Sequence, residues 1–538
     1  MLRFLLLLFL LVSGVNIYAA PKLIVVFVVD QLRRDRVTEE LPGALGKLSR
    51  EGRVFVDADL DHGITTTCSG HAVILTGMSP GRAGIPGNTY TDHESFETRY
   101  CVDDNNNAYR ELGGHGNRSP RNLKVSTFGD WLKSHYPNSR VYSVGGKDRA
   151  AITMGGHNAD GVYWYNRFTG RFTSSGYYTA SLPEYIERFN GIDPLLDGHL
   201  KSVPETWEHP EGSYREDDYP GESDEIGRVS GHPLAQGDEE DIYWQVYRSP
   251  VIDTQTIALA KLIRDHKKLG EGPEPDLLII TLSATDTVGH LYGPRSAESE
   301  DTLKNIDTML DGFIIDLETN LGIGNVLVTL VADHGVAELP EYRTEHAINT
   351  CPKKGRIPIW PFLLGINWDV YWRYTFPFDL PDNLIKLSAS DISLSRKYIA
   401  ENGLNYDEVV ETLDKILSEK SIIKEAWTRK EIREGKTEIA RLLRNSQTDD
   451  KSSDIVFQLH RDCILTVDEG TTHGSVYDYD RDIPMIFYGW GVTPGKISGK
   501  AHSVDIAPTL ARHIGIQMPY GLEGKPLDLT EQMTGSNN

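Results

Sequence analysis

The chain predicts a doubly wound α/β fold, with a mostly parallel sheet and helices on both faces. Three observations point there. Continuous apolar runs rich in β-branched residues recur along the sequence, and such runs fit strands buried on both faces. Helical patterns lie between them. Acidic and histidine residues follow several of the runs directly, where an open α/β sheet presents its ligand-binding loops.

The first segment reads Met1-Leu2-Arg3, then an apolar run from Phe4 to Val12, then Ala19-Ala20. It predicts a secretory signal peptide over residues 1–20, cleaved near Ala19 or Ala20. The run is too short to anchor the chain, because spanning a bilayer takes roughly 20 apolar residues. No second segment is long and apolar enough to span. The expected mature protein is therefore periplasmic or secreted, without stable membrane insertion.

Lys22–Val29 (KLIVVFVV) is the first predicted strand, followed by Asp276–Leu282, Asn325–Ala332 and Pro484–Tyr488. Ile252–Ile263 and Leu303–Leu317 carry apolar residues at helical spacing. Two stretches read as insertions. Asp197–Glu240, rich in Pro, Gly, Asp and Glu, is expected to be a long surface excursion. Leu380–Ser453 holds an amphipathic helix around Tyr406–Leu417, with Val409, Val410, Leu413, Ile416 and Leu417 on one face. It reads equally as a small subdomain over the site or as a peripheral helical pair. Asp505 is placed to cap a last helix, with Pro508 in its first turn. The expected organisation is one catalytic domain over 21–530, with insertions at about 197–240 and 380–453, and a flexible tail over 531–538.

With 538 residues the chain is long enough for a large core, and 39% hydrophobic with 25% charged residues is a globular composition. Formal charge is −23, from 55 basic and 78 acidic residues. That excludes a nucleic-acid partner, which requires basic surface. It also repels phosphate at long range, so any phosphate chemistry needs local positive charge. The four cysteines, Cys68, Cys101, Cys351 and Cys463, allow three full pairings, and none has zinc-finger spacing.

Six residues read as ligands of two metal ions. Asp30 ends the first apolar run, at a strand end that points into the crevice of an open sheet; a carboxylate there equally serves as a cap or as a partner of Arg33 or Arg34. Asp286 and His290, in ATDTVGH, are four apart and so share a helical face, as two ligands of one metal require. Asp333-His334-Gly335 follows NVLVTLVA directly, and Gly335 permits the sharp turn that adjacent ligands need. His473 lies in the loop TTHGS. His62, His71, His346 and His502 lack partner spacing and are left as structural or surface residues. Two sets emerge, Asp286, His290 and His473, and Asp30, Asp333 and His334. Each offers three N/O ligands and leaves a fourth position open, the pattern of catalytic zinc. Three histidines favour a borderline metal over calcium or manganese. A hydroxyl in Thr65-Thr66-Thr67-Cys68-Ser69-Gly70-His71, at the start of a helical stretch, sees the positive end of a helix dipole. Thr66, Thr67, Cys68 and Ser69 all compete for a nucleophile's role there.

In these residues the chain resembles the alkaline phosphatase superfamily, and more narrowly the bacterial threonine-nucleophile alkaline phosphatases of the PafA type. The resemblance runs from about Lys22 to Pro526. It is carried by VVDQLRRD, TTTCSGHAVILTG, GIPGN, SPRNL, GGKDRAAITMGGHNADGVYWY, TDTVGH, ADHG, THGSVYDYDRDIPMIFYG, DIAPTL and GLEGKPL. It implies that Thr67 is the nucleophile and also a metal ligand, that Asn88 binds phosphate, and that Lys147 and Arg149 are basic phosphate ligands. The six metal residues match the family's two-zinc centre. Cys68-Ser69 departs from the more usual Ala-Pro. Sulfatases of the same superfamily use C-x-P/A-x-R, and no arginine stands at that spacing after Cys68, so that activity is rejected.

The expected activity is phosphate monoester hydrolysis through a phosphothreonine at two Zn2+ ions, on small-molecule esters and at alkaline pH. Lys147 and Arg149, two apart in an expected extended segment, would face the same way and favour a monoester dianion. The alternative is a phosphodiesterase or nucleotide pyrophosphatase of the same superfamily. A third reading is a non-catalytic exported metal- or phosphate-binding protein.

Overall fold

A computed structural model describes residues 20–530 apart from Phe376, Phe378, Val467 and Asp468. Residues 1–19 of the expected signal peptide and the 531–538 tail lie outside the described residues.

The apolar runs form the expected strands. The central sheet comprises β1 (Leu23–Val29), β2 (Arg53–Asp59), β3 (Val141–Gly145), β4 (Gly161–Asn166), β5 (Arg171–Thr173), β6 (Asp276–Leu282), β7 (Val326–Val331), β8 (Met485–Gly489) and β9 (Gly495–His502), in the order β9-β2-β8-β7-β1-β6-β3-β4-β5. Neighbours from β7 through β1, β6 and β3 to β4 are parallel. Strands β5 and β8 run antiparallel to their neighbours, and β9 pairs parallel with β2. Every residue of β1, β6 and β7 is buried, as continuous apolar runs require when helices cover both faces. Each buried Val, Leu or Ile contributes about 1.5–3 kcal/mol.

Four helices position the site: α1 (Thr67–Thr76), α2 (Asp148–Gly155), α3 (Ala284–Tyr292) and α4 (Ala297–Leu321). Strands β1, β3, β6 and β7 are adjacent, and the residues following their C-terminal ends meet in one crevice. The predicted helix at 252–263 forms as Val251–Lys267, and that at 303–317 lies within α4.

Both expected insertions are more ordered than their composition suggested. In the first, Trp207, Ile226 and Leu234 pack against Val288, Leu291 and Tyr292 of α3, so this stretch shares a small core with α3. The second contains the amphipathic helix as Tyr406–Ser418, with the five expected residues buried. That helix packs on a four-stranded antiparallel sheet of Ile385–Leu387, Asp391–Leu394, Ile455–Leu459 and Ile423–Thr428, which the sequence pattern did not reveal. Residues 386–391 of this sheet and its turn line a cleft of about 370 Å³ together with Thr66 and Asn88. Two disulfides, Cys68–Cys101 and Cys351–Cys463, pair all four cysteines.

Asp505 does not cap the last helix, Ile506–Ile514, with its side chain. Its carboxylate instead accepts from the backbone N–H of His502 and of Lys525.

Candidate metal centre

Three segments that follow the parallel strands deliver Asp30, Asp286 with His290, and Asp333 with His334 to one place, and a fourth loop, far along the chain, brings in His473. Asp286 and His290 share a face of α3, with His290 Nε2 3.3 Å from Asp286 Oδ1. His473 Nε2 lies 3.6 Å from the same oxygen. A tetrahedral ion with bonds of 2.0–2.1 Å holds its ligand atoms ~3.3 Å apart, so this trio has the spacing of a zinc site. In the second set, His334 Nε2 lies 3.4 Å from Asp30 Oδ1 and 3.2 Å from Asp333 Oδ2.

Each imidazole is oriented by its other nitrogen. Nδ1 of His290 faces the Thr471 carbonyl at 2.8 Å, that of His473 the Thr65 carbonyl at 2.7 Å, and that of His334 the Gly335 carbonyl at 3.0 Å. A carbonyl only accepts, so each Nδ1 carries the proton and each Nε2 offers a lone pair to the centre.

The fold holds this geometry through residues that the ligand pattern alone did not mark. Gln31 sits at φ +66° and bridges the two sets: its backbone N–H donates to Asp333 Oδ1 and its Nε2 to Asp286 Oδ1, both at 3.0 Å. A non-glycine residue in the left-handed region is costly and is kept where surrounding contacts impose it. Gly289 admits this side chain, because a Cβ there would meet Gln31 Oε1 at 2.1 Å. Gly70 lets α1 lie against the Asp333 backbone; a Cβ would meet the Asp333 carbonyl oxygen at 2.2 Å. Buried Asp253 accepts from Ser283 and Ala284 N–H and so fixes the start of α3. Asp480 accepts from Gly474 and Ser475 N–H and shapes the His473 loop. Burial pushes Asp253 and Asp480 each up to about 7.

His71 and His62 are not surface residues. His71 is fully buried, with Nδ1 3.0 Å from Asp333 Oδ2 and from the Thr67 carbonyl oxygen. The signal was present in the sequence, since Thr67 and His71 have the four-residue helical spacing that marked Asp286 and His290. His62 is fully buried, and burial depresses it to about 3. His502 pairs with Asp59 at 2.5 Å, while His346 is exposed and stacks on Tyr342.

The residues present fit a pair of divalent cations. Asp30 Oδ1 and His334 Nε2 are buried with no hydrogen-bond partner. Three carboxylates, Asp30, Asp286 and Asp333, lie together out of water, and Lys147 stands between two of them, 2.6 Å from Asp30 and 2.5 Å from Asp286. Burial, with the charges of Asp286 and Asp333, drives Asp30 well above the usual carboxylate range. Burial also lowers His334 to about 3, which favours the neutral, ligating form. The donor set of imidazoles and carboxylates suits zinc.

The polar run at 65–71 is divided by its contacts. Thr66 and Ser69 form a capping box at the start of α1. Cys68 is bonded to Cys101 and offers no thiol. Thr67 is left as the first residue of α1, with its Oγ1 3.4 Å from Arg149 Nη2. Asn88 lies beside it and accepts the Cys68 N–H through Oδ1 at 2.9 Å, which turns its amide Nδ2 away from that bond. Lys147 and Arg149 do not lie in an extended segment. Lys147 precedes α2 and Arg149 is in its first turn, so they diverge: Lys147 reaches the carboxylates and Arg149 reaches Thr67. Asp148 between them is held by Tyr100 and Arg118.

Residues 24–481 match the type I phosphodiesterase / nucleotide pyrophosphatase family. Among curated proteins, the chain is 31% identical to a calcium-transporting ATPase of Myroides odoratus, over 94% of each chain. It is also 31% identical to alkaline phosphatase PhoV of Synechococcus elongatus, over 94% of this chain and 92% of that one. Its fold matches the crystal structure of a variant of alkaline phosphatase PafA with a TM-score of 0.86 at 29% identity, covering 94% of this chain and 98% of that one. The chain therefore belongs to the type I phosphodiesterase / nucleotide pyrophosphatase family, within the alkaline phosphatase superfamily.

Proposed function

We propose that the protein is an exported alkaline phosphatase that hydrolyses small-molecule phosphate monoesters through a phosphothreonine at Thr67. The observation that carries this reading is the Thr67 hydroxyl at a helix N-terminus, within reach of Arg149, on a helix whose Gly70 and His71 lie against Asp333. The named relatives PhoV and PafA support it. Export is supported by the pairing of all four cysteines, since disulfides persist outside the cytosol.

Asp286, His290 and His473 would hold one zinc ion, and Asp30, Asp333 and His334, with Thr67, the other. Bound there, the pair supplies electrostatic stabilisation to the oxygens that enter and leave phosphorus. The chain's own residues do the rest by positioning. Thr67 Oγ attacks phosphorus in line, the Oγ–P bond forms, and the P–O bond to the alcohol breaks. The proton lost from the Thr67 hydroxyl is balanced by the one the alcohol takes up. Water then cleaves the Oγ–P bond and releases phosphate. The N-terminal dipole of α1 favours negative charge at Thr67. Arg149 binds two phosphoryl oxygens, and Asn88 Nδ2 donates to a third. Lys147 keeps Asp30 and Asp286 together and adds positive charge beneath the phosphoryl group, offsetting the acidic surface.

A phosphodiesterase or nucleotide pyrophosphatase reading is favoured by the description of the matched family. A comparison of p-nitrophenyl phosphate with bis-p-nitrophenyl phosphate, before and after chelation, separates the two. Faster monoester turnover that is lost on chelation and restored by zinc supports the proposal. Faster diester turnover overturns it.

A further inference from the structure

We infer that the chain holds an additional zinc ion, outside the proposed catalytic centre, at His209, His232 and Glu298. This site is separate from the centre described above and does not rest on the proposed activity. It joins the 197–240 excursion to the first turn of α4. His232 and Glu298 are fully buried and His209 retains 9% exposure, which gives an ion a way in.

The proton positions argue for a cation. His209 Nδ1 faces the Pro210 carbonyl at 3.1 Å, so Nδ1 carries a hydrogen. His232 Nδ1 faces the Ile226 carbonyl at 3.2 Å and the Tyr292 hydroxyl oxygen at 3.3 Å. That hydroxyl donates its own hydrogen to the Gly227 carbonyl at 2.7 Å, so toward His232 it can only accept. Both Nε2 atoms therefore present lone pairs, and they face one another at 3.0 Å. Glu298 Oε1 lies 3.5 Å from His232 Nε2 and 3.8 Å from His209 Nε2, and neither oxygen of this buried carboxylate has a hydrogen-bond donor.

A proton shared between the two imidazoles would join them but leave Glu298 without a donor, since 3.5 and 3.8 Å exceed a hydrogen bond's reach. One divalent ion satisfies all three groups. The ligand separations of 3.0, 3.5 and 3.8 Å bracket the ~3.3 Å edge of tetrahedral zinc, and each histidine has the backbone-anchored Nδ1 typical of a metal ligand. Two imidazoles and a carboxylate select zinc over calcium or magnesium. Such an ion would staple the excursion behind α3, where the Ser223 N–H already donates to the Leu291 carbonyl next to His290.

Anomalous scattering across the zinc absorption edge, from crystals of the full chain grown with excess zinc, tests this directly. The expected result is a peak among His209 Nε2, His232 Nε2 and Glu298 Oε1. The absence of a peak there, whatever is found at the catalytic centre, overturns the proposal in favour of a shared proton. In solution, His232→Ala and Glu298→Gln are each expected to bind one zinc ion fewer per chain than wild type and to melt at lower temperature. Wild-type zinc content in folded variants also overturns it. Should either variant fail to fold, the wild-type crystal decides.

Discussion

The imidazoles of His334 and His473 stack with centroids 3.6 Å apart and planes 18° from parallel. His334 comes from the loop after β7, and His473 from a loop that reaches the crevice only after the 380–453 stretch has been built. The stack is where the two candidate ligand sets meet.

The cations next to the site should govern which ester is preferred. Arg149→Ala is expected to lower monoester turnover by about 10²–10³-fold, the usual cost of removing a donor aimed at developing charge. The diester, with one charge fewer, should lose much less. Paired kcat/KM values on the two p-nitrophenyl esters check this, and equal losses on both would refute the role of Arg149. Lys147→Ala should show the same preference with an added loss of zinc affinity, because Lys147 also holds Asp30 and Asp286 together.

Cys68 is a structural neighbour of the site rather than its nucleophile. Cys68→Ser should keep turnover within about tenfold of wild type. Removing the Cys68–Cys101 link, across 33 residues, should lower stability by about 3–4 kcal/mol on chain-entropy grounds. Denaturant unfolding with a parallel activity assay reads both effects.

Gly70→Ala should be damaging although it adds one methyl group. The new Cβ would fall 2.2 Å from the Asp333 carbonyl oxygen, so α1 must move away from the ligand loop. Overpacking of this kind costs about 1–3 kcal/mol. A misplacement of the order of 1 Å at Thr67 lowers turnover by about 10²-fold. Wild-type activity in this variant would show that α1 need not touch that loop.

Stability should fall in mildly alkaline solution for a reason outside the site. Burial works to lower His502, but its hydrogen bond to Asp59 and the charges of Asp61 and Asp59 hold it above its usual value. A raised histidine stabilises the fold fully below the unfolded-state pKa of ~6.5, and that stabilisation fades as pH rises through the folded-state value. The melting temperature of wild type minus that of His502→Gln should therefore shrink as pH rises from 6.5. A difference independent of pH would contradict the assignment.

Local pattern made the strands and the amphipathic helix legible, because burial on two faces leaves a run such as LIVVFVV and burial on one face leaves helical spacing. The six candidate ligands could be picked out because they stand immediately after those runs or in a loop motif, and the fold brings their side chains close together. What stayed hidden depends on partners distant in sequence. Gln31 bridges Asp286 and Asp333, Asp253 caps the start of α3, and Lys147 turns into the carboxylates only because α2 begins where an extended segment was expected. The disulfide pairing and the burial of His71 and His232 are likewise tertiary facts that no spacing rule supplies.

Trapping phosphate on the enzyme tests the proposed chemistry most directly. Wild-type protein turning over a phosphate monoester is quenched in acid, digested and analysed by mass spectrometry, with Thr67→Ala in parallel. Phosphate on Thr67 is expected in wild type, and the alanine variant should lose at least about 10³-fold in turnover. A Thr67→Ala enzyme that folds, binds zinc and still hydrolyses the ester at the wild-type rate would contradict a threonine-centred mechanism.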